Sequence, residues 1–122
     1  MMEESTLDKL IRMNLLVDFY GQLLTERQRQ VLSYYYEDNL SLGEIANELK
    51  VSRQAVFDLL KRVEKLLEGY EGKLGLVNRW QTERAKLLQT VGEMKEALAK
   101  RDWNNIENAV QSFAKMVEEG RV

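Results

Sequence analysis

Cysteine, histidine and proline are all missing from the 122 residues, and each absence closes a class of function or structure. Without cysteine there is no disulfide, thiolate metal site, cysteine nucleophile or dithiol redox pair. Without histidine, acid–base or nucleophilic chemistry near neutral pH would rest on carboxylates, lysine, tyrosine or hydroxyls with strongly shifted pKa values, so no enzyme is expected. Without proline, no residue forces a break in a helix. No apolar run approaches the ~20 residues that span a bilayer. Acidic Glu3 and Glu4 stand where a secretory signal would carry basic charge, so a cytosolic protein is expected. A surplus of basic charge is also lacking: the net charge is -2 and the pI near 5.3, whereas dedicated DNA-binding domains tend to be strongly basic.

The composition that remains, 44% hydrophobic and 31% charged, fits a charge-rich folded chain rather than a disordered one. Its length allows one domain, or a small domain with a helical extension. Apolar residues recur at three- and four-residue spacing throughout and β-branched alternation never appears, which predicts an all-α fold. A helix-turn-helix domain is read over 1–72 and a C-terminal helical extension over 73–122.

Ser5 with Asp8 resembles a capped start, after which Leu7, Leu10, Ile11, Leu15 and Phe19 predict a first helix running to Leu23 or Leu24. Thr25 with Gln28 forms a capping-box pair that opens a second helix, with Val31, Leu32 and Tyr35 on its packed face and an end at Glu37 to Asn39. Ser41 with Glu44 is a further capping box and predicts a short third helix, Leu42 to Leu49. Lys50 and Val51 make a tight turn, and Ser52 caps a fourth helix from Arg53 to at least Glu68.

From Val56 the apolar positions Val56, Leu60, Val63, Leu67, Tyr70, Leu74 and Val77 alternate by four and three, the pattern of a coiled-coil seam, which suggests a homodimer. Gly69, Gly72 and Gly75 read as a joint within 69–78. Beyond it Trp80, Leu87, Val91, Met94 and Leu98 resume the spacing. Asp102 then caps a last helix carrying Trp103, Ile106, Val110, Phe113 and Val117, so a helical hairpin is expected, with Trp80 and Trp103 as its core anchors.

The order short helix, tight turn, longer helix is that of a helix-turn-helix. Ile45, Ala46, Leu49, Val51, Val56 and Leu59 fall where its helices must touch, and Ala46 supplies the small side chain a close crossing needs. Lys50 replaces the usual turn glycine and must take a left-handed or similar turn conformation at a modest cost. At about 100° per residue, the fourth helix turns Gln54, Lys61 and Lys65 away from its apolar stripe, flanked by Phe57 and Asp58, with Arg53 at its start. In a major groove, Arg53 and Gln54 suit purine edges; Lys61, Arg62 and Lys65 suit phosphates; Ser52 can donate to a backbone oxygen. Against tight non-specific binding, Thr25 to Lys65 carries seven bases and seven acids.

The runs Leu24-Thr25-Glu26-Arg27, Ser41-Leu42-Gly43-Glu44-Ile45-Ala46 and Val51-Ser52-Arg53-Gln54-Ala55-Val56 resemble region four of bacterial sigma factors. Of the residues that read promoters there, Arg53 alone matches. Adding Arg12-Met13-Asn14-Leu15-Leu16-Val17-Asp18-Phe19-Tyr20-Gly21 and Leu67-Glu68-Gly69-Tyr70-Glu71, the chain is similar to the YlxM family of small helix-turn-helix proteins. That resemblance implies a bacterial protein that modulates the signal recognition particle pathway, with components of that particle, protein or RNA, as partners.

Plainer readings stand beside these. The helix-turn-helix can serve protein contacts alone, as an adaptor, or duplex DNA, as a transcriptional regulator. The consecutive tyrosines Tyr34, Tyr35 and Tyr36 point about 100° apart and cannot form one stacking surface, so Tyr35 is expected to pack and its neighbours to be partly exposed. Phe57 is expected to pack on an adjacent helix. Glu44 and Glu48, one turn apart without a histidine, read as a solvated face, and no metal or cofactor is assigned.

Overall fold

Three side-chain caps decide where α2, α3 and α4 begin, and the computed structural model, which describes residues 4–120, places all three as the residue types require. Helix α1 spans Glu4–Tyr20 and tightens into a 3₁₀ turn, Gly21–Leu23. The reading of Ser5 as its cap concerns a side chain outside the described ones. Thr25 accepts from the Gln28 amide while the Gln28 side chain accepts from the Thr25 amide, which starts α2, Glu26–Leu32. The same reciprocal pair, Ser41 with Glu44, starts α3, Leu42–Leu49. Ser52 accepts from the Ala55 amide at 3.0 Å and opens α4, Arg53–Leu74. Each such cap satisfies an otherwise orphaned donor and is worth about 1 kcal/mol. Helix α5, Leu76–Ala99, follows Gly75, whose left-handed backbone (φ 62°) ends α4, and α6 is Trp103–Glu118. The described residues form helices and turns only, and among them no helix is long and apolar enough to cross a membrane.

The chain forms two compact units, one ending at Val77 and one beginning at Asn78. In the first, α4 packs on α1, α2 and α3. Its Val56, Leu60, Val63 and Leu67 are buried with Leu16 and Tyr20 of α1, Val31 and Leu32 of α2, and Ile45 and Leu49 of α3. The seam of α4 is therefore closed by its own chain, while Leu74 at its end is exposed. The helix also runs unbroken through Gly69 and Gly72, so of the three glycines only Gly75 interrupts it.

Helix α1 corrects the sequence reading: Met13, Leu16 and Tyr20 are its buried face, and Leu7, Ile11 and Phe19 are exposed. The cause lies in polar pairing, because Lys9 reaches Glu64 of α4 at 3.3 Å and Arg12 clasps Glu68 with both nitrogens at 2.9 Å. Tyr20 adds a hydrogen bond from its hydroxyl to the buried Glu71. Glu71 also accepts from the Val77 amide at 2.9 Å, and the Leu76 amide donates to the Tyr20 oxygen at 3.1 Å, which fixes the start of α5.

The tyrosines depart from expectation as well. Helix α2 runs into a π turn, Ser33–Glu37, closed by Asp38 N–H to Ser33 O at 3.0 Å. The extra residue in that turn leaves Tyr34 and Tyr36 packed against the core and Tyr35 exposed, with its ring edge-on to Tyr36.

In the second unit, α5 and α6 form the expected hairpin. The left-handed Arg101 (φ 52°) turns the chain and Asp102 caps α6 through the Asn105 amide. The contact is made by Thr90, Ala97, Ala109 and Met116, the residues buried in this unit. Trp80 and Trp103 are exposed, Trp103 by 68%, so neither is a core anchor. Their place is taken by Thr90, Ala97, Ala109 and Met116.

Candidate nucleic-acid interface

Lys50 decides whether α3 can meet α4, and it adopts φ 56°, ψ 45°, the left-handed conformation that a turn of this length requires. Its amide donates back to Ala46, and Ala46 is buried at the crossing with Ile45 and Leu49. Val51, expected in that contact, is 38% exposed, because the turn carries it outward between the helices. The second helix of the motif is thereby presented along one side to solvent.

Every residue proposed to contact nucleic acid, namely Ser52, Arg53, Gln54, Phe57, Lys61, Arg62 and Lys65, lies exposed on α4 or at its cap. Ser52 uses its oxygen as the cap acceptor, which leaves its hydroxyl proton to donate outward. Gln54 donates to Asp58 at 3.0 Å, so one potential base-reading amide is held against a carboxylate. Phe57 does not pack on a neighbouring helix. It is 42% exposed, and Lys61 lies over its ring with the ammonium 5.5 Å from the centroid. The pair forms an apolar plate with a charge above it, at the edge of the outward face.

The even count of acids and bases hides an uneven placement. Glu64 and Glu68 turn toward α1, where Lys9 and Arg12 engage them. The Tyr36 hydroxyl also donates to Glu64; burial first, then that hydrogen bond, holds it protonated far above the ordinary tyrosine range. The Arg12 hydrogen bond holds the Glu68 carboxyl below the usual carboxylate range. Arg53, Arg62 and Lys65 make no ion pair with the described residues and face solvent. Positive charge is thus left unspent on the outer side of α4, while most of the helix's acid is absorbed by α1.

Sequence reasoning missed one part of this surface. Arg62 and Lys65 also border a shallow groove of about 390 Å³, continued by Gly69 and Lys73 and walled by Gln28 of α2, with Leu66 and Tyr70 on its floor. Gly69 leaves the groove open, since nothing lies within 4 Å of where its Cβ would be. The spacing Lys65, Gly69, Lys73 was the available signal, two steps of four along one helical face. From Arg53 to Lys73 the cations extend for roughly 30 Å at the rise of an α-helix, a length comparable to several nucleotides of backbone. Among the described residues no cluster of acidic side chains is arranged to hold a metal ion.

Comparison with known proteins bears on the helix-turn-helix as a whole. Residues 7–109 match the model of the family described as "Putative helix-turn-helix protein, YlxM / p13 like". A UPF0122 protein of Shouchella clausii is 55% identical over 93 residues, covering 76% of this chain and 82% of the relative. Another, from Halalkalibacterium halodurans, is 54% identical over 94 residues, 77% of this chain and 83% of its own. A third, from Bacillus mycoides, is 52% identical over 101 residues, 83% and 88% respectively.

Proposed function

The chain belongs to the YlxM/p13-like family of helix-turn-helix proteins, and we propose that it is a non-enzymatic, nucleic-acid-contacting accessory factor of the signal recognition particle pathway. The observation that carries the nucleic-acid part is the sorting of charge on α4: Arg53, Arg62 and Lys65 face outward without an ion pair among the described residues, Glu64 and Glu68 turn to α1, and the exposed Lys61 lies 3.6 Å from Glu64. Phosphates attract such a row whatever the overall net charge, because the Debye length of about 8 Å at physiological salt confines the interaction to the nearest face. The pathway assignment rests on the family resemblance, and RNA of the particle is its corresponding nucleic acid.

A second reading, sequence-specific binding to duplex DNA in the cytosol, is favoured by the left-handed turn at Lys50 and the Ser52 cap, which hold α4 as a major-groove helix is held. Asp58 beside Gln54 weakens it, since a carboxylate there faces the phosphates.

The test is to measure binding of the full chain to purified particle protein, to particle RNA and to random duplex DNA side by side. Binding to the RNA that falls steeply with salt and disappears on combining Lys61→Glu with Lys65→Glu is expected. Binding to the particle protein alone, unchanged by those substitutions, would replace this reading with a protein adaptor. A preference for one duplex sequence would replace it with a transcriptional regulator.

A further inference from the structure

The α5/α6 hairpin has two unlike sides. On one, Glu93, Glu96, Lys100, Asn105 and Asn108 line a polar groove that continues past Lys86, Gln89, Ser112 and Lys115. With the turn at Lys100 to Asp102, two antiparallel helices set Lys86 about level with Glu119, Glu93 with Ser112 and Lys100 with Asn105, and each of these pairs lines one groove. At about 100° per residue, the opposite side of α5 carries Leu87, Val91, Met94 and Leu98. The matching side of α6 carries Ile106, Val110, Phe113 and Val117, and Trp103 stands at its start. Between the helices only Thr90, Ala97, Ala109 and Met116 are buried. The hairpin therefore leaves much apolar surface in water, with Trp103 68%, Leu98 62% and Val110 49% exposed, while Leu87, Met94 and Ile106 are half-buried.

We propose that this apolar side is where two copies of the chain associate, the hairpins closing a four-helix bundle about a two-fold axis along their length. Both stripes keep the four-three spacing that packs helices at shallow angles. Trp103, Leu98, Val110, Val117, Val91 and Phe113, 39% to 68% exposed, make one continuous surface, whereas monomers usually expose apolar residues singly or in small patches.

Charge selects a second copy and its orientation. The outer edge of the α5 stripe carries Arg84 and Lys95, and the outer edge of the α6 stripe carries Glu107 and Glu118. An axis along the hairpins brings α5 of one copy beside α6 of the other. In that register, Arg84 then falls within a helical turn of Glu118 of the second copy, and Lys95 within a turn of its Glu107. Reversing one hairpin would instead set Arg84 and Lys95 against the same edge of the other copy, placing like charges together. A self-complementary patch of this kind is what a two-fold interface requires. The proposal stands apart from the nucleic-acid reading, since no residue of α4 enters it.

Sedimentation equilibrium of the full chain decides the matter. A mass twice the 14.3 kDa of one chain is expected at micromolar concentration. Val110→Asp should weaken association by ~100-fold, as expected for a charge set in an interface core. Lys95→Glu, an exposed change that leaves folding intact, should weaken it by ~10-fold, and adding Glu107→Lys to the same chain should restore it. A monomer at all concentrations, a dimer untouched by Val110→Asp, or a Lys95→Glu effect that Glu107→Lys fails to reverse would each overturn the proposal.

Discussion

Replacing Lys50 by glycine isolates the strain at the corner of the helix-turn-helix. The residue sits at φ 56°, ψ 45°, where an L side chain brings its Cβ toward the following carbonyl at a cost of ~1–2 kcal/mol. Glycine removes that clash but gives up more conformational freedom on folding, a penalty of about 0.5–1 kcal/mol relative to alanine. The difference leaves Lys50→Gly more stable than Lys50→Ala by roughly 0.5–1 kcal/mol, with the alanine variant serving as the control that deletes the charge and keeps the strain. Lys50 is exposed and makes no ion pair with the described residues, so the comparison reads backbone conformation alone. For a unit of this size, that difference raises the melting temperature by ~2–8 °C. Thermal unfolding followed by circular dichroism measures it. If the alanine variant proves equal to or more stable than the glycine variant, Lys50 is not left-handed in solution and the crossing of α3 with α4 is wrongly described.

Packing, the exposed ring and the paired carboxylates give three further outcomes. Val63 is fully buried among residues from α4's neighbours, so Val63→Ala should lower stability by about 1–3 kcal/mol in a urea titration, and a change below ~0.5 kcal/mol would place α4 elsewhere. Phe57→Ala, at an exposed ring under Lys61, should leave that stability within ~0.5 kcal/mol yet weaken nucleic-acid binding; a large drop in stability would show the ring to be packed. Glu68 and Glu44 are held below the ordinary carboxylate range, the first by hydrogen bonds from Arg12, the second by the Ser41 amide and then its hydroxyl. A depressed folded-state pKa means that their stabilisation is complete above the unfolded value of ~4.3 and is lost as pH falls through the lower folded values. The urea midpoint should therefore decline below about pH 4, less steeply in Glu68→Gln, and a midpoint unchanged to about pH 3 would contradict these pairings.

The parts of the fold that were legible in the sequence are those written in local chemistry. Thr25 with Gln28, Ser41 with Glu44, Ser52 and Asp102 each satisfy specific backbone donors within three residues, so α2, α3, α4 and α6 could be placed before any packing was known. A strained turn at Lys50 followed from its standing where the motif usually has glycine. Illegible were features decided by distant partners. Helix α1 carries apolar residues on more than one side, and distant partners on α4, Glu64 for Lys9, Glu68 for Arg12 and Glu71 for Tyr20, accompany the burial of Met13, Leu16 and Tyr20. The π turn that exposes Tyr35 has no signature in residue type. The seam of α4 looked like a dimer interface because the sequence does not reveal that α1, α2 and α3 close it. Trp80 and Trp103 suggested core anchors by size, whereas Ala97 and Ala109 hold the hairpin. The outward row on α4 was foreseen from the helical wheel, but its charge balance was not, because Lys9 and Arg12, which absorb Glu64 and Glu68, lie far from them in the chain.

The central claim, that the outer face of α4 meets phosphates, is tested most directly by the salt dependence of affinity for particle RNA in wild type and Lys65→Gln. Removing a single cation–phosphate pair should reduce the slope of log affinity against log salt by ~0.7 to 0.9. The account predicts a slope shallower by about one such pair in the variant, whereas identical slopes would place the nucleic acid on another surface.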